Sequence, residues 1–258
     1  MLRKKLDDFL DRLPNWAFAL TINTYSKLFS KGFKIVSSDG DWLILRKGGI
    51  RLLSPTPKCL GLSLKVFQEK FEYYFKVERG DTIIDVGACI GDTTIPFVLK
   101  TGNRGLVVAV EPEPLNIKYL KINTCAFDNV KVVEKAAWNK REPMTFNVYS
   151  RPTGHSLTPI GVGYVNTIKV QADTLDNISK SCGRAVDYLK IDAQGSELQV
   201  LEGARKLLKK VKKVVVETHT YNIGGKTGNT LQSVKDFLTN MGFNVRITPK
   251  TKIVYGYR

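Results

Sequence analysis

Residues 82–94 read TIIDVGACIGDTT, an apolar strand-forming run that passes into a turn of small residues before Asp92, Thr93 and Thr94 open a helical stretch. Glycine lets the backbone approach a ligand closely, and a helix beginning just beyond it offers unpaired N–H groups. The D-x-G-x-x-x-G pattern is weak by itself. A strand before it and a helix after it are what mark such a turn as a ligand cradle. The G-x-G-x-x-G spacing of nicotinamide enzymes is absent, because Cys89 and Asp92 interrupt it.

Downstream of this stretch, short β-branched runs alternate with helical ones. Strands are predicted at 82–86, 106–110, 131–134, 187–191 and 213–217, and helices at 93–100, 114–126, 196–210 and 230–241. Such alternation predicts a mostly parallel sheet with helices on both faces. No helix fits between the runs at 144–149 and 167–170, so they read as an inserted hairpin around a Gly- and Pro-containing loop, a lid over the substrate. The chain closes with an antiparallel pair, 244–248 and 252–257, around Pro249. Upstream, Leu2, Leu6, Phe9, Leu10 and Leu13 form a helical stripe, residues 33–53 read as short strands joined by turns, and 62–75 as a helix. The division is a 1–75 α+β appendage and a 76–258 α/β domain carrying the 144–170 insertion.

Each later strand ends in an acid. Glu111 stands at the tip of its strand, 24 residues past Gly87. In doubly wound folds a carboxylate at about this distance accepts from both hydroxyls of a ribose. Asp192 ends the run DYLKID, at the sheet edge where ligands bind, and could position a substrate hydroxyl or take its proton. Glu217 and His219 lie on one side of the next strand, a pair suited to general-base work or to a metal. A structural hydrogen-bonded pair is an equal reading, and no metal is assigned. Glu197 reads as a helix-capping group or a second acid, and His155 as an ordinary loop residue.

The chain has 258 residues, 43% of them hydrophobic, enough for a real core. No stretch of 18 apolar residues spans a membrane, and the first 20 residues do not read as a signal peptide. Four scattered cysteines without C-x-x-C argue against a zinc site or a disulfide framework, so a reducing cytoplasm is the expected compartment. The formal charge of +16 raises the prospect of anionic partners. Residues 1–76 hold 14 basic and 7 acidic side chains, and Arg205–Lys213 holds six basic residues and no acid.

Taken together, IIDVGACIGDTTIPF, VVAVEPEP, EKAAWN, DYLKIDAQGSELQVLEGA and VVVETH, in this order and spacing, resemble the FkbM family of methyltransferases that use S-adenosylmethionine. The resemblance covers about residues 76–258. It implies an α/β, Rossmann-like class I methyltransferase sheet with strand order 3-2-1-4-5-7-6, the last strand antiparallel. It also implies S-adenosyl-L-methionine as cofactor, held by Asp85, Gly87, Ala88, Cys89, Gly91 and Asp92. Glu111 and Pro112 would lie on its ribose and Ala136 and Ala137 along its adenine. Asp192 would lie near the transferred methyl, with His219 and Glu217 as further catalytic candidates. The implied reaction is O-methylation of a glycan or small-metabolite hydroxyl. The family usually has Asn at Cys89 and Glu at Gln194, so no acid–base role is carried to position 194.

Three other readings remain open on sequence alone. The basic surface fits an RNA methyltransferase, although no RNA-binding motif is present. A NAD-dependent oxidoreductase is disfavoured by the glycine spacing. A non-catalytic protein could meet an anionic membrane surface through Arg3, Lys4, Lys5 and Arg12, but Asp7, Asp8 and Asp11 weaken that stripe.

Overall fold

The computed structural model describes residues 10, 13–28, 32–46, 50–58, 64–149, 154–158, 164–223, 226–249 and 251–258. The helix expected over 1–13 lies outside these except for Leu10 and Leu13, and so does most of the loop between the hairpin strands.

The apolar runs become the central strands β4 (Thr82–Val86), β5 (Leu106–Val110), β6 (Val130–Val133), β10 (Tyr188–Ile191) and β11 (Lys213–Glu217), all parallel. β15 (Ile253–Tyr257) joins β11 antiparallel, and β14 (Asn244–Ile247) joins β15 antiparallel. The seven-stranded order is β14-β15-β11-β10-β4-β5-β6. Read from the other edge this is 3-2-1-4-5-7-6, the order that the resemblance implies.

Strand alternation sorts the core into two faces. Ile84, Val86, Leu189, Ile191, Val214 and Val216 pack against helices α5 (Leu175–Ile178), α6 (Glu197–Glu202), α7 (Arg205–Leu208) and α8 (Leu231–Asn240). Ile83, Val107, Tyr188, Val215 and Tyr255 pack on the opposite face, against α3 (Thr94–Thr101) and α2 (Leu64–Phe71), which supplies Phe67 and Phe71. Helix α2 belongs to the N-terminal region by sequence, yet it covers the sheet. Its C-terminal end is pinned by two sheet tyrosines: the Tyr188 hydroxyl donates to Phe71 O, and that of Tyr255 to Lys70 O at 2.5 Å.

The predicted helix over 196–210 is two helices, α6 and α7, with Gly203 between them. A Cβ at Gly203 would stand 2.1 Å from the Trp138 carbonyl oxygen, so the strand-three side of the molecule passes directly against this turn. The Asp176 carboxylate then accepts from Lys206 N and Leu207 N and starts α7 afresh. The inserted hairpin forms as β8 (Pro143–Tyr149) and β9 (Tyr164–Asp173), and β9 also pairs with β7 (Ala136–Ala137).

Ahead of the sheet, β1 (Phe33–Ser38), β2 (Asp41–Arg46) and β3 (Arg51–Ser54) form an antiparallel meander. Its Ile44 and Leu52 pack on Cys89, Ile90 and Ile95. Asn123, on α4 (Pro114–Thr124), ties the two together by bonding both Leu53 backbone groups and Ile90 O. The meander therefore buttresses the glycine turn from behind. Helix α1 (Asn15–Leu28), which the apolar rhythm does not announce, packs Phe18, Ala19 and Ile22 on Ile35. A second unannounced element is the hairpin β12 (Thr220–Ile223) and β13 (Lys226–Asn229). Among the described residues no helix is long and apolar enough to cross a membrane.

Candidate active site

The carboxyl ends of β4, β5, β10 and β11 surround a cavity of about 460 Å³, within the ordinary range for small-molecule sites. Of the residues predicted from sequence, Gly87, Cys89, Asp92, Glu111, Pro112, Ala136, Ala137, Asp192 and Glu217 line it. Asp85, Ala88, Gly91 and His219 do not.

Asp85 lies beneath the floor. Its Oδ2 accepts from Thr93 Oγ1 and Thr94 Oγ1, both at 2.8 Å, and its Oδ1 meets Lys190 Nζ at 2.9 Å. Both charges are fully buried. Burial alone would neutralise Lys190, but Asp85, Asp192 and Asp92 outweigh it and hold the ammonium charged. Lys190 also donates to Val86 O and Gly87 O, at 3.1 and 3.0 Å. The pair thus fixes the carbonyls of the glycine turn from below. Asp85 is absent from the cavity lining and shapes the floor through this frame.

The turn itself is strained. Cys89 has φ +48° and Gly87 φ +73°. A Cβ on Gly87 would fall 2.0 Å from Asp192 O, so only glycine lets the β4 and β10 turns meet. Cys89 N donates to Glu111 Oε2 at 2.9 Å, and Glu113 N donates to Oε1 at 3.0 Å. Burial pushes the Glu111 carboxyl up to about 7 despite these bonds. Burial likewise lifts Asp92 to about 6, with Lys190 opposing.

At the β10 end, Asp192 Oδ1 accepts from Gln194 Nε2 at 2.8 Å and lies 3.6 Å from His219 Nε2. Gln194 Nε2 also stands 3.1 Å from His219 Nε2. His219 Nδ1 meets Glu197 Oε1 at 2.9 Å, and the buried Glu197 accepts in addition from Gly195 N and Thr230 Oγ1. Burial would lower the imidazole, but the bond to Glu197 and the charges of Asp192, Glu197 and Glu217 raise it to about 9. The amide placed as it is suits a lone pair on Nε2. Protonation at neutral pH, which the carboxylates favour, instead directs Nε2–H to Asp192 Oδ1, 3.6 Å away, and leaves the Gln194–Asp192 bond in place. Glu217 and His219, paired in the sequence reading, have separate partners: Lys70 Nζ bonds both Glu217 oxygens, at 2.6 and 2.9 Å.

Sequence reasoning missed Lys70 and Phe71, which α2 brings to the cavity, and also Lys190, Phe146 and His155. A charged residue inside the otherwise apolar run YLKI was a readable signal for Lys190; nothing local marked Lys70. Among the described residues no group of three or more His, Cys, Asp or Glu is arranged to hold a metal ion. The basic run Arg205–Lys213 ends at the first residue of β11, so the sheet separates it from the cavity at the far end of that strand. There Leu207, Leu208 and Val211 are buried, Arg205 stacks on Phe237, and Lys213 pairs with Glu78.

Several solved structures are similar to this chain at low identity. The FkbM methyltransferase of Methylobacillus flagellatus KT is 15% identical with a TM-score of 0.48, over 78% of this chain and 51% of that one, so the chain spans about half the length of that protein. Aeropyrum pernix fibrillarin, solved with natively bound S-adenosyl-L-methionine, is 13% identical with a TM-score of 0.48, over 86% and 99%. TYW2 of P. horikoshii, solved with MeSAdo, is 13% identical with a TM-score of 0.47, over 94% and 81%. No curated protein sequence matches. The decisive comparison is at family level: the methyltransferase FkbM domain matches residues 85–245, from the buried aspartate of the glycine turn to the first edge strand, and the chain belongs to that family.

Proposed function

We propose that this methyltransferase uses S-adenosyl-L-methionine to methylate a hydroxyl of a glycan or small metabolite, with Asp192 as the general base. The observation that carries this reading is the Asp192 carboxylate, which opens on the cavity beside the glycine turn with one oxygen held by Gln194. The residues fit the cofactor. Glu111 presents a buried carboxylate to two ribose hydroxyls, Gly87 keeps the adjoining turn free of a side chain, and Ala136 and Ala137 leave room for a flat base. When bound, the cofactor supplies an electrophilic methyl group on a sulfonium, so the protein's task is alignment and proton removal. Asp192 takes the hydroxyl proton. His219, outside the cavity lining and held cationic, is a positioning residue that orients Asp192. Lys70 and Glu217 fix the wall of the acceptor side.

The RNA reading loses one of its two supports, because the basic run lies at the opposite end of β11 from the cavity, while the overall charge of +16 stands. The proposed compartment is the cytoplasm, where the free thiols of Cys125 and Cys182 persist. The test has two parts. Calorimetric titration with S-adenosylhomocysteine and with NAD, repeated on Glu111→Ala, should show saturable binding of the first alone, weakened by the substitution. Transfer of labelled methyl from S-adenosylmethionine should then mark hydroxylated acceptors as base-resistant ethers. Base-labile esters, or label only on RNA, would refute the acceptor class.

A further inference from the structure

The inserted hairpin carries a histidine that the proton chemistry above does not use. His155 lies in the described segment 154–158 and lines the cavity. Its position is over-determined. Ser156 exchanges backbone hydrogen bonds with Asn147 of β8, at 2.8 and 3.1 Å, and its hydroxyl donates to Gln194 O at 2.6 Å. The ring stands edge-on to Phe146, 6.4 Å between centroids.

The decisive contact is Tyr149 N to His155 Nδ1, 3.0 Å. A backbone N–H can only donate, so Nδ1 must be the acceptor and the proton of the neutral ring must sit on Nε2. Burial keeps the ring neutral, with the charge of Glu113 opposing. Nε2–H makes no hydrogen bond among the described residues. The structure therefore fixes one tautomer, one ring orientation and one free donor at the cavity.

The neighbours of that donor identify what it meets. Ala136, Phe146 and Leu157 share an apolar cluster and line the same end of the cavity. The Ser156–Gln194 bond joins this segment to the turn that carries Asp192, so the apolar lining adjoins both Ala136 and that turn. A ribose placed on Glu111 would hold its base against this lining, with its reactive arm left for Gly87 and Asp192. A flat apolar slot with one fixed N–H is complementary to a purine edge, whose ring nitrogens are acceptors. We propose that His155 reads the adenine base of the cofactor, donating Nε2–H to one purine ring nitrogen, so that the insertion is a base-recognition element as well as a cover.

This inference rests on the cofactor reading above, and calorimetry separates the two. The probes are S-adenosylhomocysteine and its 1-deaza, 3-deaza and 7-deaza derivatives, each lacking one ring acceptor. Wild type should bind one deaza derivative about tenfold more weakly than the parent, the loss of a single good hydrogen bond. His155→Phe should bind the parent about tenfold more weakly and no longer distinguish it from that derivative, while His155→Gln, which keeps an N–H, should restore part of the distinction. Melting of the ligand-free variants checks the fold; if the phenylalanine variant melts early, loss of the distinction in His155→Ala decides instead. An equal loss across all four ligands, or no loss, overturns the proposal and leaves a packing role. Failure of wild type to bind any of them would overturn the cofactor reading itself.

Discussion

The turns after β4 and β10 are built alike and used differently. Each follows a buried parallel strand, and each holds a non-glycine residue at φ +48°, Cys89 in one and Gln194 in the other. Each also contains a glycine near φ +96°, Gly91 at +96° and Gly195 at +97°. In the β4 turn the working atoms are backbone: Cys89 N holds Glu111, and the carbonyls of Val86 and Gly87 rest on Lys190. In the β10 turn the working atoms are side chains: Asp192, Gln194 and, behind them, His219 and Glu197. Strain of this kind persists where surrounding contacts over-determine it. In the function proposed above, one backbone shape serves as a binding cradle or carries a reactive group according to which atoms it turns toward the cavity.

Four experiments bear on that division. The largest effect is expected on the reactive side. Asp192→Asn should lower kcat by about 10²–10⁴, the usual worth of a general base, while S-adenosylhomocysteine still binds. Full turnover in a methyl-transfer assay would end the role assigned to Asp192. Next comes the point where the turns touch. Gly87→Ala forces a Cβ against Asp192 O and a side chain into positive φ, so urea unfolding should show a loss of about 3 kcal/mol. A near-neutral result would mean that the turns are not mechanically joined.

The third tests the buttress behind the reactive turn. His219 is raised from 6.5 to about 9 in the folded state. The stability it supplies is complete below pH 6.5 and is lost as pH rises through about 9, at most about 3 kcal/mol. Unfolding measured at pH 6 and pH 9.5 should show this decline in wild type and not in His219→Gln. A matching decline in both would assign it to other groups. The smallest effect concerns the cradle. With Glu111 at about 7, a diol that binds only the ionised carboxylate should bind about tenfold more weakly at pH 6 than at pH 8. A flat pH profile would show that the ribose does not rely on this charge.

Particular residues show how far local reading reaches. The parallel strands were legible because strands buried on both faces read as near-continuous apolar runs, as LVVAV does, and TIIDV apart from its buried Asp85. Helix α1 was not, because Trp16, Leu20 and Leu28 stay exposed while Phe18, Ala19 and Ile22 are buried, which blurs the one-sided rhythm. The break at Gly203 depends on the carbonyl of Trp138, 65 residues away in the chain. His155 read as an ordinary loop residue, since its fixed tautomer comes from the Tyr149 N–H, a contact that exists only once the hairpin folds back.

The residues by themselves determined the layered α/β class, the strand order through the family motifs, and the acids that end each strand. These follow from periodicity and chain order, which are local properties. Only the tertiary structure decided that Asp85 lies beneath the site, that α2 delivers Lys70 to Glu217, and that His219 stands between Glu197 and Asp192. Each of those outcomes depends on the distance between groups far apart in the chain. Charge, tautomer and burial are set by such distances, and the linear order of residues does not contain them.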